Sequence, residues 1–202
     1  LIAAVLFLAA GGVLVYRAMT VTGSVDVEAP IFQQFNPCFV VALTPIIMLV
    51  FGALAKKGKE PSSPMKIGLG MLVAASAFVI LLVGSMGLVS PVEQKAALEA
   101  GTATLVSPNW LISTYLVLTV AELLLSPIGI SFVSKVAPPK YKGMMMGGWF
   151  VATAIGNFLI SIPGMLWDKT ELYVVWGVLI AICLVSAIFI FAILKRLEAV
   201  AK

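Results

Sequence analysis

The sequence predicts an all-α membrane protein: a six-transmembrane-helix bundle whose first helix is partial. Composition is the first reason. Of 202 residues, 61% are hydrophobic and 11% charged, with a mean hydropathy of +1.13. A soluble domain carries about 25% charge. The second reason is length, because most of the apolar stretches reach the roughly 20 residues that a helix needs to cross a bilayer. The third is the sign of the connections between them, which alternates along the chain.

The segments follow in order. Residues 1–16 are apolar but short, interrupted by Gly11 and Gly12. The chain opens on Leu1 rather than Met, with no signal-peptide pattern, so we expect a piece of a longer protein and a first helix that starts upstream. A polar connection over residues 17–34 leads to Phe35-Asn36-Pro37, which opens a helix over 36–55. Proline suits a helix start because its missing N–H is unsatisfied there anyway. Pro45 lies deeper and is expected to kink that helix.

The turn from Lys56 to Pro64 separates it from a helix over 67–89, whose Gly68, Gly70, Ala74, Ala75 and Ala77 permit close approach to a neighbour. The loop over 90–108 holds a short surface helix at 92–100. Three further helices are expected over 110–133, 143–167 and 172–194, followed by the charged tail from Lys195.

Lysines crowd alternate connections: Lys56, Lys57, Lys59 and Lys66, then Lys135, Lys140 and Lys142, then Lys195, Arg196 and Lys202 in the tail. The intervening loops mix both signs. Positive-inside bias places the lysine-rich set in the cytoplasm, with the C-terminus inside. Six crossings with both ends inside make one half of many transporters. The net charge of +4 is spread over separate short loops, which argues against a nucleic-acid partner. Cys38 and Cys183 both fall in apolar segments and are expected as reduced, packed thiols. With no His and no CxxC pattern, zinc is not expected.

Glu122 stands out chemically. It sits near the middle of an apolar run, where a carboxylate costs about 2.5–3.5 kcal/mol or more and normally faces a cavity or a partner. Pro127 cannot donate to the carbonyl of Leu123, so a kink is expected one turn further on. At 100° per residue, Tyr115, Thr119, Ser126 and Gly129 share the Glu122 face. Thr119 can equally bond its own backbone. In an empty apolar cavity Glu122 can carry a proton; beside a cation its charged form is favoured. On the next segment Gly148, Ala152 and Gly156 repeat every four residues as a packing seam. Trp149 is either an interface anchor or a pocket wall, and Asn36 either a cap or a polar contact.

The runs Glu122–Ser131, Lys135-Val136-Ala137-Pro138 and Lys142–Phe150 closely resemble the proton-dependent oligopeptide transporter family of the major facilitator superfamily. Phe32–Pro37 and the Lys-Gly-Lys-Glu-Pro-Ser turn extend the resemblance, which covers roughly residues 31–194. It implies the C-terminal half of a major facilitator fold and proton-coupled uptake of di- and tripeptides by alternating access. It also implies an inner-membrane location in a bacterium. On that resemblance Glu122 holds the peptide's free amino group, Asn36 helps at that end, Ser126 lines the pocket, and Trp149 and Phe150 wall side-chain pockets. Protons are the coupling ion and no other cofactor is implied.

Two departures stand beside the match. Residues 1–16 lack the polar, aromatic and Gln-bearing pattern of the family's seventh helix, and no acidic residue lies within them. The N-terminal six-helix bundle, with its Glu-x-x-Glu-Arg motif, is absent from the sequence and is the expected partner alongside substrate and lipid. A related facilitator of another small solute, or an inactive truncated membrane protein, are the rival readings. An enzyme is disfavoured because no nucleophile–base pair is visible.

Overall fold

The computed structural model describes residues 29–103, 106–167 and 169–201, so the segment expected over 1–16 lies outside the described residues. Among the described residues five helical stretches are long and apolar enough to cross a membrane, and no strand occurs. They fall into two compact units divided after Glu60.

In the first unit a 3-10 turn, Ala29–Gln34, feeds helix α1 (Phe35–Lys56). Gln34 is the N-cap, so Asn36 lies inside the first turn and is not the capping residue. Helix α1 is assigned continuously through Pro45. Its start is framed by aromatic rings: Phe32 and Phe35 are 6.1 Å apart, and Phe35 and Phe39 5.9 Å.

The second unit holds α2 (Ser63–Gly84), α3 (Pro91–Glu99), α4 (Asn109–Val136), α5 (Lys142–Leu159), α6 (Ser161–Trp167) and α7 (Leu172–Ala201). Helix α2 begins four residues before the expected 67, because Ser62 caps it and Pro64 sits in its first turn. The Ser62 hydroxyl accepts the Met65 N–H, which satisfies one of the exposed donors of a helix start. Helix α2 stops at Gly84, short of the expected 89. Gly87 follows at φ +85°, a left-handed conformation that glycine adopts without Cβ strain. Helix α3 starts with a reciprocal capping box between Ser90 and Glu93, close to the short helix expected at 92–100.

Helices α4 and α7 both run beyond the predicted ends, α4 to Val136 and α7 into the charged tail. The single helix expected over 143–167 is instead two, parted at Ile160. Pro163 is the physical reason. It cannot donate to the Leu159 carbonyl, and its ring crowds that turn.

Helix α2 is the centre of this unit and packs against both α4 and α7. Its Gly68, Gly70, Ala74, Ala75 and Ala77 are all buried, as the small-residue pattern predicts. A Cβ on Gly70 would lie 2.9 Å from Leu125 Cγ, 3.0 Å from Leu124 Cβ and 3.2 Å from the Ala121 carbonyl oxygen. A Cβ on Gly68 would lie 2.9 Å from Phe191 Cζ of α7. Small residues on α2 thus let backbone meet neighbour directly, the way helices associate where lipid removes the hydrophobic drive. By contrast, Gly148, Ala152 and Gly156 of α5 are exposed, and nothing lies within 4 Å of a Cβ at either glycine. The expected seam on α5 is not packed among the described residues. Both thiols are free, but Cys38 is exposed rather than packed, while Cys183 is half-buried.

Replacing Gly70 with Val should destabilise the intact protein by about 1–3 kcal/mol, the usual cost of overpacking. Gly52→Ala in α1, where a Cβ meets open space, should leave stability unchanged or slightly raised. Thermal or denaturant unfolding in detergent reads both.

Candidate substrate-binding site

Helix α4 carries the candidate site. Glu122 lies at the middle of its 28 residues and is exposed, as are Ser126 and Pro127. The flanking Ala121 and Leu124 are buried at 2% and 7% exposure. One side of the helix is therefore locked into the bundle while the carboxylate projects from the other. The lock is the α2 contact: the same Ala121 carbonyl and Leu124 side chain bear on Gly70.

The polar stripe predicted from helical periodicity divides. Thr119 is fully buried, and its hydroxyl donates to the Tyr115 carbonyl at 2.7 Å. Thr114 does the same to Trp110 at 2.8 Å. These are the local backbone bonds that Thr commonly makes in membrane helices. Gly129, also on the predicted face, is buried, and what covers it is Trp149 of α5. A Cβ on Gly129 would lie 2.8 Å from Trp149 Cζ2 and 3.0 Å from Cζ3. The indole thus rests directly on the α4 backbone.

Seven residues separate Glu122 from Gly129, which is about 10 Å along a helix at 1.5 Å per residue. Ser126 lies between them. The exposed stripe on α4 therefore has a carboxylate at one end, a hydroxyl in the middle and an aromatic wall at the other end. Trp149 is half-buried. Its own carbonyl accepts the Thr153 hydroxyl at 3.0 Å, so that hydroxyl is engaged locally. Phe150, the next residue on α5, is 60% exposed and presents a second ring on the open surface. Asn36 lies half-buried in the first turn of α1, in the other unit.

The arrangement suits a small solute with a cationic end and an apolar body. The carboxylate offers charge, Ser126 a donor and acceptor, and the indole a face with cation–π and dispersion capacity. Among the described residues no group of three His, Cys, Asp or Glu side chains could hold a metal. Two clefts lie elsewhere. One of about 460 Å³ is lined by residues including Leu82, Met86, Glu93 and Tyr173; another of about 520 Å³ is lined by Ile80, Ser107, Asn109, Trp110 and Ser113. Neither includes Glu122, Ser126, Trp149 or Phe150.

The positioning roles of two residues named from the sequence emerge only in the fold. Gly70 places Glu122 through Ala121 and Leu124, and Gly129 seats Trp149. Each carried a signal, as a small residue on a predicted contact face, but the partner across the contact is visible only in three dimensions.

Gly129→Ala should push the indole off α4. In protein labelled with fluorotryptophan, the Trp149 resonance should move, whereas Gly148→Ala, with open space around its Cβ, should leave it in place.

Comparisons with known proteins bear on the family and the fold. The sequence pattern of the POT family (PTR2) matches residues 7–173. The peptide transporter YePEPT of Yersinia enterocolitica is 37% identical over 133 residues, covering 66% of this chain and 24% of that protein. Dipeptide and tripeptide permease A of Salmonella typhi is 31% identical over 144 residues, covering 69% of this chain and 26% of the permease. The chain thus spans about a quarter of the length of these relatives. Among solved structures, the peptide transporter POT in complex with sulfate superposes with a TM-score of 0.73 at 26% identity, covering 89% of this chain and 33% of that one. A POT family transporter in complex with 5-aminolevulinic acid superposes with a TM-score of 0.60 at 25% identity, covering 82% and 31% respectively. The helical architecture and the family pattern coincide, and the chain belongs to the POT family.

Proposed function

We propose that this chain is the C-terminal bundle of a proton-coupled importer of di- and tripeptides that works by alternating access. The observation that carries the proposal is Glu122, a carboxylate exposed midway along a membrane-spanning helix, with Ser126 one turn on and Trp149 seated beyond it. A carboxylate at membrane depth normally faces a cavity or a charged group. A peptide's terminal ammonium is such a partner. Phe150 and Trp149 offer apolar surface that accepts side chains of varied shape; Asn36, in the other unit, enters the proposal through the family resemblance alone. Proton coupling enters the proposal through the family resemblance.

The relatives support this reading. Two of them are named as a peptide transporter and a dipeptide and tripeptide permease, and a solved neighbour holds 5-aminolevulinic acid, a small molecule with a free amine. The exposed side of α5 also fits a half-protein. Gly147, Gly148, Phe150, Val151 and Ile155 all lie open, as expected of a face that meets an N-terminal bundle across a substrate path. We place the chain in a bacterial inner membrane with the C-terminus and the turns at Lys56–Lys59 and Lys135–Lys142 in the cytoplasm, following the positive-inside bias.

Glu122→Gln in the intact protein should abolish proton-driven dipeptide uptake into proteoliposomes. Uptake unchanged from wild type would refute the proposed role. Uptake of another solute that simple dipeptides do not compete with would instead mark a facilitator of different specificity.

A further inference from the structure

We propose that the basic turn joining α4 to α5, Lys135–Lys142, is a binding surface for the headgroup of an anionic phospholipid. Lys135, Lys140 and Lys142 are all exposed. The turn is short and stiff: α4 ends at Val136, a 3-10 turn spans Pro139–Tyr141, and α5 starts at Lys142. Pro138 and Pro139 hold it extended and then tightly turned, with Pro138 at φ −57° and ψ 142°. Three lysines therefore stand at the ends of two helices long and apolar enough to cross a membrane, where lipid headgroups are expected.

The charge has no counterpart in its own stretch of chain. The sequence holds no Asp or Glu between Glu122 and Asp168. The other basic connections differ. Glu60 follows Lys59 directly, and Glu198 stands beside Lys195 and Arg196, its carboxylate also accepting the Ser62 hydroxyl at 2.6 Å. Beside the lysines lies apolar surface. Lys140 Nζ is 5.6 Å from the centre of the Tyr141 ring, Tyr141 is 47% exposed and Met144 68%. Phosphate on the lysines with acyl chain along Tyr141 and Met144 satisfies both parts, as juxtamembrane basic segments do at anionic leaflets.

The placement has a consequence for the site. This turn connects the helix of Glu122, Ser126 and Gly129 to the helix of Trp149, so a headgroup bound there braces the pair that forms the Trp149–Gly129 contact. That consequence rests on the transport reading above; the binding does not.

The test is native mass spectrometry of the intact protein, released in detergent and offered phosphatidylglycerol or phosphatidylcholine with the same acyl chains. Wild type should retain phosphatidylglycerol in at least about fivefold excess, and added salt should reduce that excess. The variant Lys135→Gln/Lys140→Gln/Lys142→Gln should lose the excess while still retaining phosphatidylcholine, and the corresponding triple Arg variant should keep it. An excess that survives the Gln substitutions would overturn the proposal, as would an excess insensitive to salt in the wild type. Displacement of the lipid by millimolar inorganic phosphate would also overturn it, in favour of a simple phosphate site. Retention is measured without transport, so failure of the peptide-uptake reading leaves this outcome unchanged.

Discussion

The contact between Gly70 of α2 and the Ala121–Leu125 stretch of α4 is the constraint on which the rest depends. With no side chain on Gly70, the two backbones approach until a Cβ would have only 3.2 Å to the Ala121 carbonyl. In a bilayer such close packing replaces the hydrophobic drive available in water. Fixing Ala121 and Leu124 inward turns Glu122 outward, because successive residues on a helix are 100° apart. The orientation of the carboxylate is thus a by-product of how small its neighbour's neighbour is. Gly129 repeats the device one helix pair along, where the indole of Trp149 takes the space that a side chain would fill.

On the proposed function, this arrangement lets this chain's share of the site be preformed. The α2, α4 and α7 helices share a packed interior built around small residues, and they can hold α4 still without help from the substrate. The surface opposite that interior, including Glu122, Ser126 and most of α5, is left exposed. Preorganisation of this kind reduces what binding must spend on ordering the protein. It also suits alternating access, in which rigid bundles rock about a site at their interface.

Much of this was legible beforehand, for reasons that can be stated residue by residue. Glu122 was readable because charge in an apolar run is expensive. The buried set on α2 was readable because Gly and Ala at close spacing serve few other purposes in a membrane helix. Helix ends were less so. The start at Ser63 depended on Ser62 acting as a cap where a Pro-rich turn looked like loop, and the early stop of α2 depended on Gly87 within a run that still reads as apolar. Pro163 was passed over in the same way, although it removes the donor to Leu159 across the place where α5 and α6 part. Thr119 shows the limit of periodicity: it shares an ideal face with Glu122, yet it is buried and bonded to Tyr115. A helical wheel assigns angles, and packing decides which of them reach the surface. The seating of Trp149 on Gly129 involves residues on two helices, and no single-helix pattern contains it.

The central claim is that packing around Gly70 and Gly129 presents Glu122, Ser126 and Trp149 as one surface for an amine-bearing substrate. A structure of the intact protein with a bound dipeptide tests it most directly. The account predicts the peptide's ammonium nitrogen within about 3 Å of a Glu122 carboxylate oxygen, with a peptide side chain against the Trp149 ring where it rests on Gly129. A dipeptide whose amine is held by another acidic group, with Glu122 out of reach, would contradict it.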